Sequence, residues 1–322
     1  MRLDIRYRMH FRYSEPVRES QNEIRVRPRD DETQRVVSFR LTTDPPTRVI
    51  SAFDYWGTAV CQLGVRTAHT SLELLAETSV DTSARPAPAP EGAVAALSDR
   101  GFRSHHFEFL EPSQHVAWQT GDGVAERAAA AAQGARSVPE LLAAVVAEVR
   151  SALRYESGAT DIGVPLGALL AGGGGVCQDF AHLAIGMLRS IGVPARYVSG
   201  YLFAADETAA ADETAAAVSV QTHAWIEAAV PGAGWHPLDP TNGGPVGERH
   251  VVIGCGRDYG DVPPVRGVFM GGATAGVEAE VVIGRLLATD PQPETSSRSR
   301  PRTLAHGPPA TPRPHQQQQQ QQ

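Results

Sequence analysis

Apolar and charged side chains alternate along the N-terminal part of the chain. Leu3, Ile5, Tyr7, Met9, Phe11 and Tyr13 fall between Arg2, Asp4, Arg6, Arg8, His10 and Arg12. That period of two is the mark of a half-buried antiparallel strand. Val37, Phe39 and Leu41 repeat it, as do Ala59, Cys61, Leu63 and Val65, and then Leu72, Leu74 and Ala76. Asp54-Tyr55-Trp56-Gly57 reads as a turn. Short strands at this spacing predict an N-terminal antiparallel β-sandwich over residues 1–83. Its outward arginines fit a solvated strand face or a surface for an acidic partner.

The pattern then changes period. Arg85-Pro86-Ala87-Pro88-Ala89-Pro90 reads as a polyproline-like linker, placed at 84–94. Ser137-Val138-Pro139-Glu140 is a capping box with proline in the first turn. It opens a helix carrying Leu141, Leu142, Val145, Val146, Val149 and Leu153. Phe180, Leu183, Ala184, Met187, Leu188 and Ile191 predict a second helix, ended by Gly192 and Pro194. Strands follow over 195–203, 218–230 and 235–239, with others near 250–254 and 277–283. The order of helix and then antiparallel strands predicts an α+β core over 95–288. Residues 204–217 hold a near-duplicated Ala-Asp-Glu-Thr-Ala-Ala, read as an acidic surface loop or as a segment overhanging a cleft. The tail over 289–322 is rich in Pro, Ser and Arg and ends in Gln316–Gln322. It lacks the apolar content to fold and is expected to be disordered.

The second helix begins where a glycine run stops at a cysteine: Gly172-Gly173-Gly174-Gly175-Val176-Cys177. A thiol at a helix start meets unsatisfied N–H groups and the positive end of the dipole. Both favour the thiolate, which is the nucleophile. The alternative is a buried Cys acting as a small apolar side chain. A nucleophile needs a base and a group to orient that base. Two segments offer them. In Val218–Val230, Val218, Val220, Ala224, Ile226 and Ala228 point one way, and Gln221, His223, Trp225 and Glu227 the other. Trp235-His236-Pro237-Leu238-Asp239 ends in a carboxylate followed by Pro240.

Pro231-Gly232-Ala233-Gly234 between them reads as a hairpin turn. A two-residue loop would put His223 and Asp239 on opposite faces. A three-residue loop over Pro231–Ala233, or a bulge, would set Trp225 opposite Asp239 and bring His223 within reach of it. The reading therefore demands the odd loop. His236 is the competing base.

These segments resemble the bacterial transglutaminase-like superfamily. The resemblance rests on Gly175-Val176-Cys177-Gln178-Asp179-Phe180-Ala181-His182, on Gly192–Tyr201, on Thr222-His223-Ala224-Trp225 and on Asp239-Pro240-Thr241-Asn242. Outside the core, Phe11–Val17 and Arg25–Arg29 are similar to the family's N-terminal region, and Gly256-Arg257-Asp258-Tyr259 with Asp261–Gly267 to its C-terminal signature. Thr222 stands where serine is commoner. The resemblance implies a papain-like core and a triad of Cys177, His223 and Asp239, in that order. It implies a thioester intermediate and acyl transfer from amide or peptide bonds, as a protease or amidase. Amine transfer by a true transglutaminase is the alternative, and a non-catalytic peptide-binding module is a further one. Gln178 would be an oxyanion donor or a solvated first-turn residue. Trp225 would wall the substrate groove or pack in the strand. Asp179 reads as structural. The implied partner is a protein or peptide substrate, with an ATP-dependent ligase-like protein expected by family analogy.

Composition sets outer limits. The chain has 322 residues, and its net charge of −7 predicts no nucleic-acid partner. No apolar run approaches a membrane span, and the charged N-terminus is unlike a signal peptide, so a cytoplasmic protein without a membrane partner is expected. Cys61, Cys177 and Cys255 lack metal-ligand spacing, so no metal or cofactor is expected. All 29 basic residues are arginine. The chain therefore offers no lysine amine for cross-linking to itself.

Overall fold

A computed structural model describes residues 1–84, 92–204, 218–220 and 222–286. Most of the proline-rich linker, the acidic insert and the polyglutamine tail lie outside the described residues. The strands are β1 (Arg2–Ile24), β2 (Gln34–Asp44), β3 (Val49–Phe53), β4 (Ala59–Val65), β5 (His69–Thr82), β6 (Arg154–Tyr155), β7 (Gly174–Gly175), β8 (Ala195–Leu202), β9 (Val218–Val220), β10 (Thr222–Val230), β11 (Gly234–Leu238), β12 (His250–Gly256), β13 (Val265–Met270) and β14 (Ala275–Leu286). The helices are α1 (Arg100–His105), α2 (Val124–Ala132), α3 (Val138–Ala152), α4 (Leu166–Gly172) and α5 (Cys177–Ser190).

The alternation in β1 does what its period dictates. Leu3, Ile5, Tyr7, Met9, Phe11 and Tyr13 are buried, and Arg6, Arg8 and Arg12 are exposed. The first half of β1 lies between β5 and β14, and its second half between β4 and β13. Irregular register between Arg12 and Gln21 marks the bend. One long strand thus curls a single antiparallel sheet, ordered β2-β5-β1-β14-β9, with β3, β4 and β13 completing it. On the outer face Arg2 pairs with Asp81, Arg8 with Glu73 and Arg12 with Glu278. The C-terminal strands β13 and β14, which follow the core in sequence, return to this N-terminal sheet.

A second sheet, β11-β10-β8-β12, is covered on both faces. Ala224, Ile226 and Ala228 of β10 pack with Leu183, Ala184 and Met187 of α5. Tyr201, Val251 and Ile253 of β8 and β12 join the core of the first sheet, with Leu3, Leu72 and Leu74. Trp225, Val198, Val252 and Cys255 form a third cluster. The alternation in β10 therefore separates two buried faces. Glu227 on the expected polar face is buried and pairs with Arg196 at 2.6 Å.

Two features anchor α5 behind its N-terminus. The buried Arg189 guanidinium donates to the carbonyls of Ala195 (2.8 Å), Glu111 (2.9 Å) and Arg257 (2.7 Å). Buried His182 accepts the Tyr259 N–H at 3.2 Å, and burial pushes its imidazole down to about 3. A neutral ring is what an accepting Nε2 requires. The Gly256–Tyr259 segment thus docks on the helix that carries Cys177.

Candidate active site

The four glycines ahead of Cys177 each meet a different backbone demand. Gly172 closes α4, and Gly173 caps it at φ +69°, a conformation that favours glycine. Gly174 and Gly175 form β7, paired in parallel with Arg154 and Tyr155. A Cβ on Gly175 would lie 2.9 Å from Asp179. Its absence lets Asp179 fold back and accept the Val176 N–H at 2.8 Å and the Thr160 hydroxyl at 2.5 Å. Asp179 is buried and caps the helix that presents Cys177. Helical bonding begins with the N–H groups of Asp179 and Phe180, both on the Val176 carbonyl. The Cys177 and Gln178 N–H groups are thus first-turn donors outside the helical ladder. Cys177 is half-buried, whereas Cys61 and Cys255 are buried, and all three are free.

The hairpin has the odd loop. Val230 lies opposite Gly234 and Ile226 opposite Leu238, which leaves Pro231–Ala233 as a three-residue connection. The Ala233 N–H donates to the Val230 carbonyl at 3.0 Å, with Gly232 at φ +78°. Proline followed by a positive-φ glycine is the signature of a type II turn. In that register His223 Nε2 and Asp239 Oδ2 are 2.9 Å apart. His236, the competing base, lies opposite Ala228; its Nδ1 is buried with no partner among the described residues.

Asp239 is 2% exposed and held from several sides. Oδ1 accepts the N–H groups of Thr241 (3.0 Å) and Asn242 (3.1 Å). Oδ2 accepts the Asn242 amide at 2.8 Å. The loop beyond it is fixed in turn. Gly243 donates to the Asp239 carbonyl at 2.8 Å, and Arg150 of α3 donates to the Thr241 carbonyl at 2.5 Å. Burial would raise the Asp239 carboxyl, but the hydrogen bonds from His223, His250 and Asn242 prevail and hold it well below the usual carboxylate range. His223 shows the opposite balance. Burial would lower its imidazole, yet the Asp239 carboxylate at 2.9 Å and the nearby Cys177 raise it to about 9. Nε2 is committed to Asp239, which leaves Nδ1 as the ring nitrogen that Asp239 does not engage.

Trp225, read either as a groove wall or as a packed strand residue, is fully buried. Its ring stacks on His223 (centroids 6.0 Å, 26°) and fills space that a side chain at residue 200 would take: a Cβ on Gly200 would lie 2.4 Å from it. Gln178 is partly exposed in the first turn of α5. Tyr155, beside Gly175, was not singled out in the sequence. It is exposed, and burial of part of its ring together with the nearby Cys177 raises its phenol. His250 was also missed. It approaches Asp239 Oδ2 with Nε2 at 3.3 Å. His223, Asp239 and His250 bring polar atoms within 4.8 Å of one another, a spacing that could admit a metal ion. Both imidazoles already meet the same carboxylate oxygen, so hydrogen bonding accounts for the cluster.

Comparison with known proteins gives two family matches. Residues 125–240 match the transglutaminase-like superfamily, and residues 3–81 match the bacterial transglutaminase-like N-terminal region. An uncharacterized protein of Mycobacterium leprae is 33% identical over 288 residues, covering 88% of this chain and 99% of its own length. An uncharacterized protein of Mycobacterium tuberculosis is 34% identical over 282 residues, covering 83% and 87%. Among solved structures, a candidate cysteine protease from Cytophaga hutchinsonii superposes with a TM-score of 0.70 at 23% identity, over 91% of this chain and 93% of that one. The curled sheet and the core are thus shared as a fold.

Proposed function

The chain belongs to the transglutaminase-like superfamily, and from that premise we propose that it is a cysteine-dependent acyl-transfer enzyme acting on amide or peptide bonds. The observation that carries the proposal is the His223–Asp239 hydrogen bond at 2.9 Å, in a chain whose half-buried Cys177 opens α5. Such an arrangement can store a thiol proton on the ring while Asp239 supports the resulting charge.

In this reading the Cys177 thiolate attacks the amide carbonyl, and its electrons move onto the oxygen. The first-turn N–H groups of Cys177 and Gln178 are placed to receive that oxyanion. The carbonyl re-forms, the C–N bond breaks, and His223 delivers its proton to the departing amine. The acyl group is left as a thioester on Cys177. Water then attacks the thioester carbonyl, His223 takes its proton, the C–S bond breaks, and the acid leaves as the Cys177 thiolate re-forms. We infer that hydrolysis, as an amidase or peptidase, is the reaction. Transfer to an external amine would use the same groups.

Among the described residues no helix is long and apolar enough to cross a membrane. Three free thiols suit a reducing compartment such as the cytoplasm.

The test is a survey of glutamine-containing peptides and proteins. Intact-mass spectrometry follows the acyl adduct, and ammonia, new termini and added amine are measured together. An adduct on Cys177 with acid product supports hydrolysis, and amine incorporation assigns transfer. Substrate turnover that persists in Cys177→Ala would end the proposal.

A further inference from the structure

Asp239 has a partner that none of the motifs around Cys177, His223 and Asp239 supplies. His250 opens β12, opposite Leu202 of β8, with its side chain 8% exposed. Its Nδ1 faces the Gly247 N–H at 3.3 Å, and its Nε2 faces Asp239 Oδ2 at 3.3 Å. A backbone N–H can only donate, so Nδ1 must accept. The neutral ring then carries its proton on Nε2, aimed at the carboxylate. The tautomer is set by the chain's own turn, since the His250 N–H also donates to the Gly247 carbonyl at 2.9 Å. Trp225 packs edge-on against His250 (5.3 Å, 76°) while stacking on His223, so one buried ring holds both imidazoles around Asp239.

We propose that His250 is a positioning residue for the reaction, whose Nε2–H shares Asp239 Oδ2 with His223 and so sets both the orientation and the proton affinity of the His223 ring. The inference rests on the acyl-transfer reading of the site. Oδ2 collects donors from Asn242, His223 and His250 at 2.8, 2.9 and 3.3 Å. Each donor draws on the same negative charge. Removing His250 concentrates that charge on His223, stabilises its protonated form and slows release of its proton to the leaving amine. A donor restored at the same place reverses the change.

The experiment uses the full chain with His250→Leu and His250→Gln, the glutamine amide replacing the lost N–H. Imidazole ¹⁵N NMR follows the His223 titration in each. The expected result is an upward shift of about half a pH unit or more in His250→Leu, returned toward the parent in His250→Gln. A His223 titration unchanged in His250→Leu would overturn the inference. The parent supplies a measurement that needs no variant. His250 should show protonated Nε2 and unprotonated Nδ1, and the reverse tautomer also overturns it. Alkylation of Cys177 in the parent is recorded separately: a sluggish thiol there refutes the acyl-transfer reading, whereas the His250 result is decided by NMR alone.

Discussion

Replacing Asp239 with Asn keeps the shape of the side chain and removes its charge. The carboxylate accepts five hydrogen bonds, two on Oδ1 from backbone N–H groups and three on Oδ2 from His223, His250 and Asn242. A carboxamide offers one accepting oxygen and one donating NH₂. With the oxygen at the Oδ1 position, the NH₂ confronts three donors. With the oxygen at Oδ2, it confronts two backbone N–H groups that cannot change. Unpaired buried donors cost about 1–3 kcal/mol. In the first orientation His223 can recover only by moving its proton to Nδ1, the nitrogen that accepts from Cys177 in the proposed mechanism. The comparable tautomer error in a serine triad costs about 10⁴ in turnover, or roughly 5 kcal/mol of barrier. The rate should therefore fall far more than the stability. Alkylation of Cys177 reads the same loss without a substrate. A free thiol near 8.5 is only about 1% ionised at pH 6.5, so losing the proposed Cys177–His223 ion pair would lower the rate there by up to ~100-fold. Thermal melting checks the fold. Alkylation within about twofold of the parent at pH 6.5 would refute a thiolate that depends on Asp239.

Cys177→Ala should abolish amide turnover and leave the melting temperature within a few degrees, because a half-buried first-turn side chain contributes little packing; loss of cooperative unfolding would contradict this. Gly200→Ala should destabilise by about 1–3 kcal/mol, because its Cβ would lie 2.2 Å from the Val251 carbonyl and 2.4 Å from the Trp225 ring. Chemical denaturation measures it, and an unchanged midpoint would show that the ring has room to move. Turnover should decline as pH rises through about 9. His223 is raised to that value by Asp239 and Cys177 against the opposing effect of burial. A raised pKa means that the stabilisation is complete below the unfolded value near 6.5 and is lost, with the proton, on passing 9. A pH–rate profile still climbing beyond that point would contradict the assignment.

Much of this arrangement was legible in local sequence. The alternation in β1 has the period of its burial, and Pro231-Gly232 carries the turn that sets the odd loop. The loop in turn fixes which face Asp239 shares. What escaped depends on contacts between distant segments. The pattern in β10 sets Ala224, Ile226 and Ala228 apart from His223, Trp225 and Glu227, and both sides are covered, by α5 on one face and the Trp225 cluster on the other. Glu227 is tolerated there because Arg196 meets it. His250 stands at the head of an apolar strand with no neighbour to mark it, since its partner comes from another hairpin through β8. Trp225 was open to two readings, and it lies fully buried in close approach to Gly200. The glycine run signalled a special backbone, but neither the αL cap at Gly173 nor the β6–β7 bridge could be read from composition alone.

The most direct test of the central claim is the rate of Cys177 alkylation against pH, resolved peptide by peptide, with buried Cys61 and Cys255 as references in the same chain. An activated nucleophile paired with His223 should label fast near pH 6.5, well below the free-thiol range near 8.5, and lose that rate in His223→Ala. A Cys177 that labels no faster than a free thiol of that pKa, and is indifferent to His223, would contradict the account.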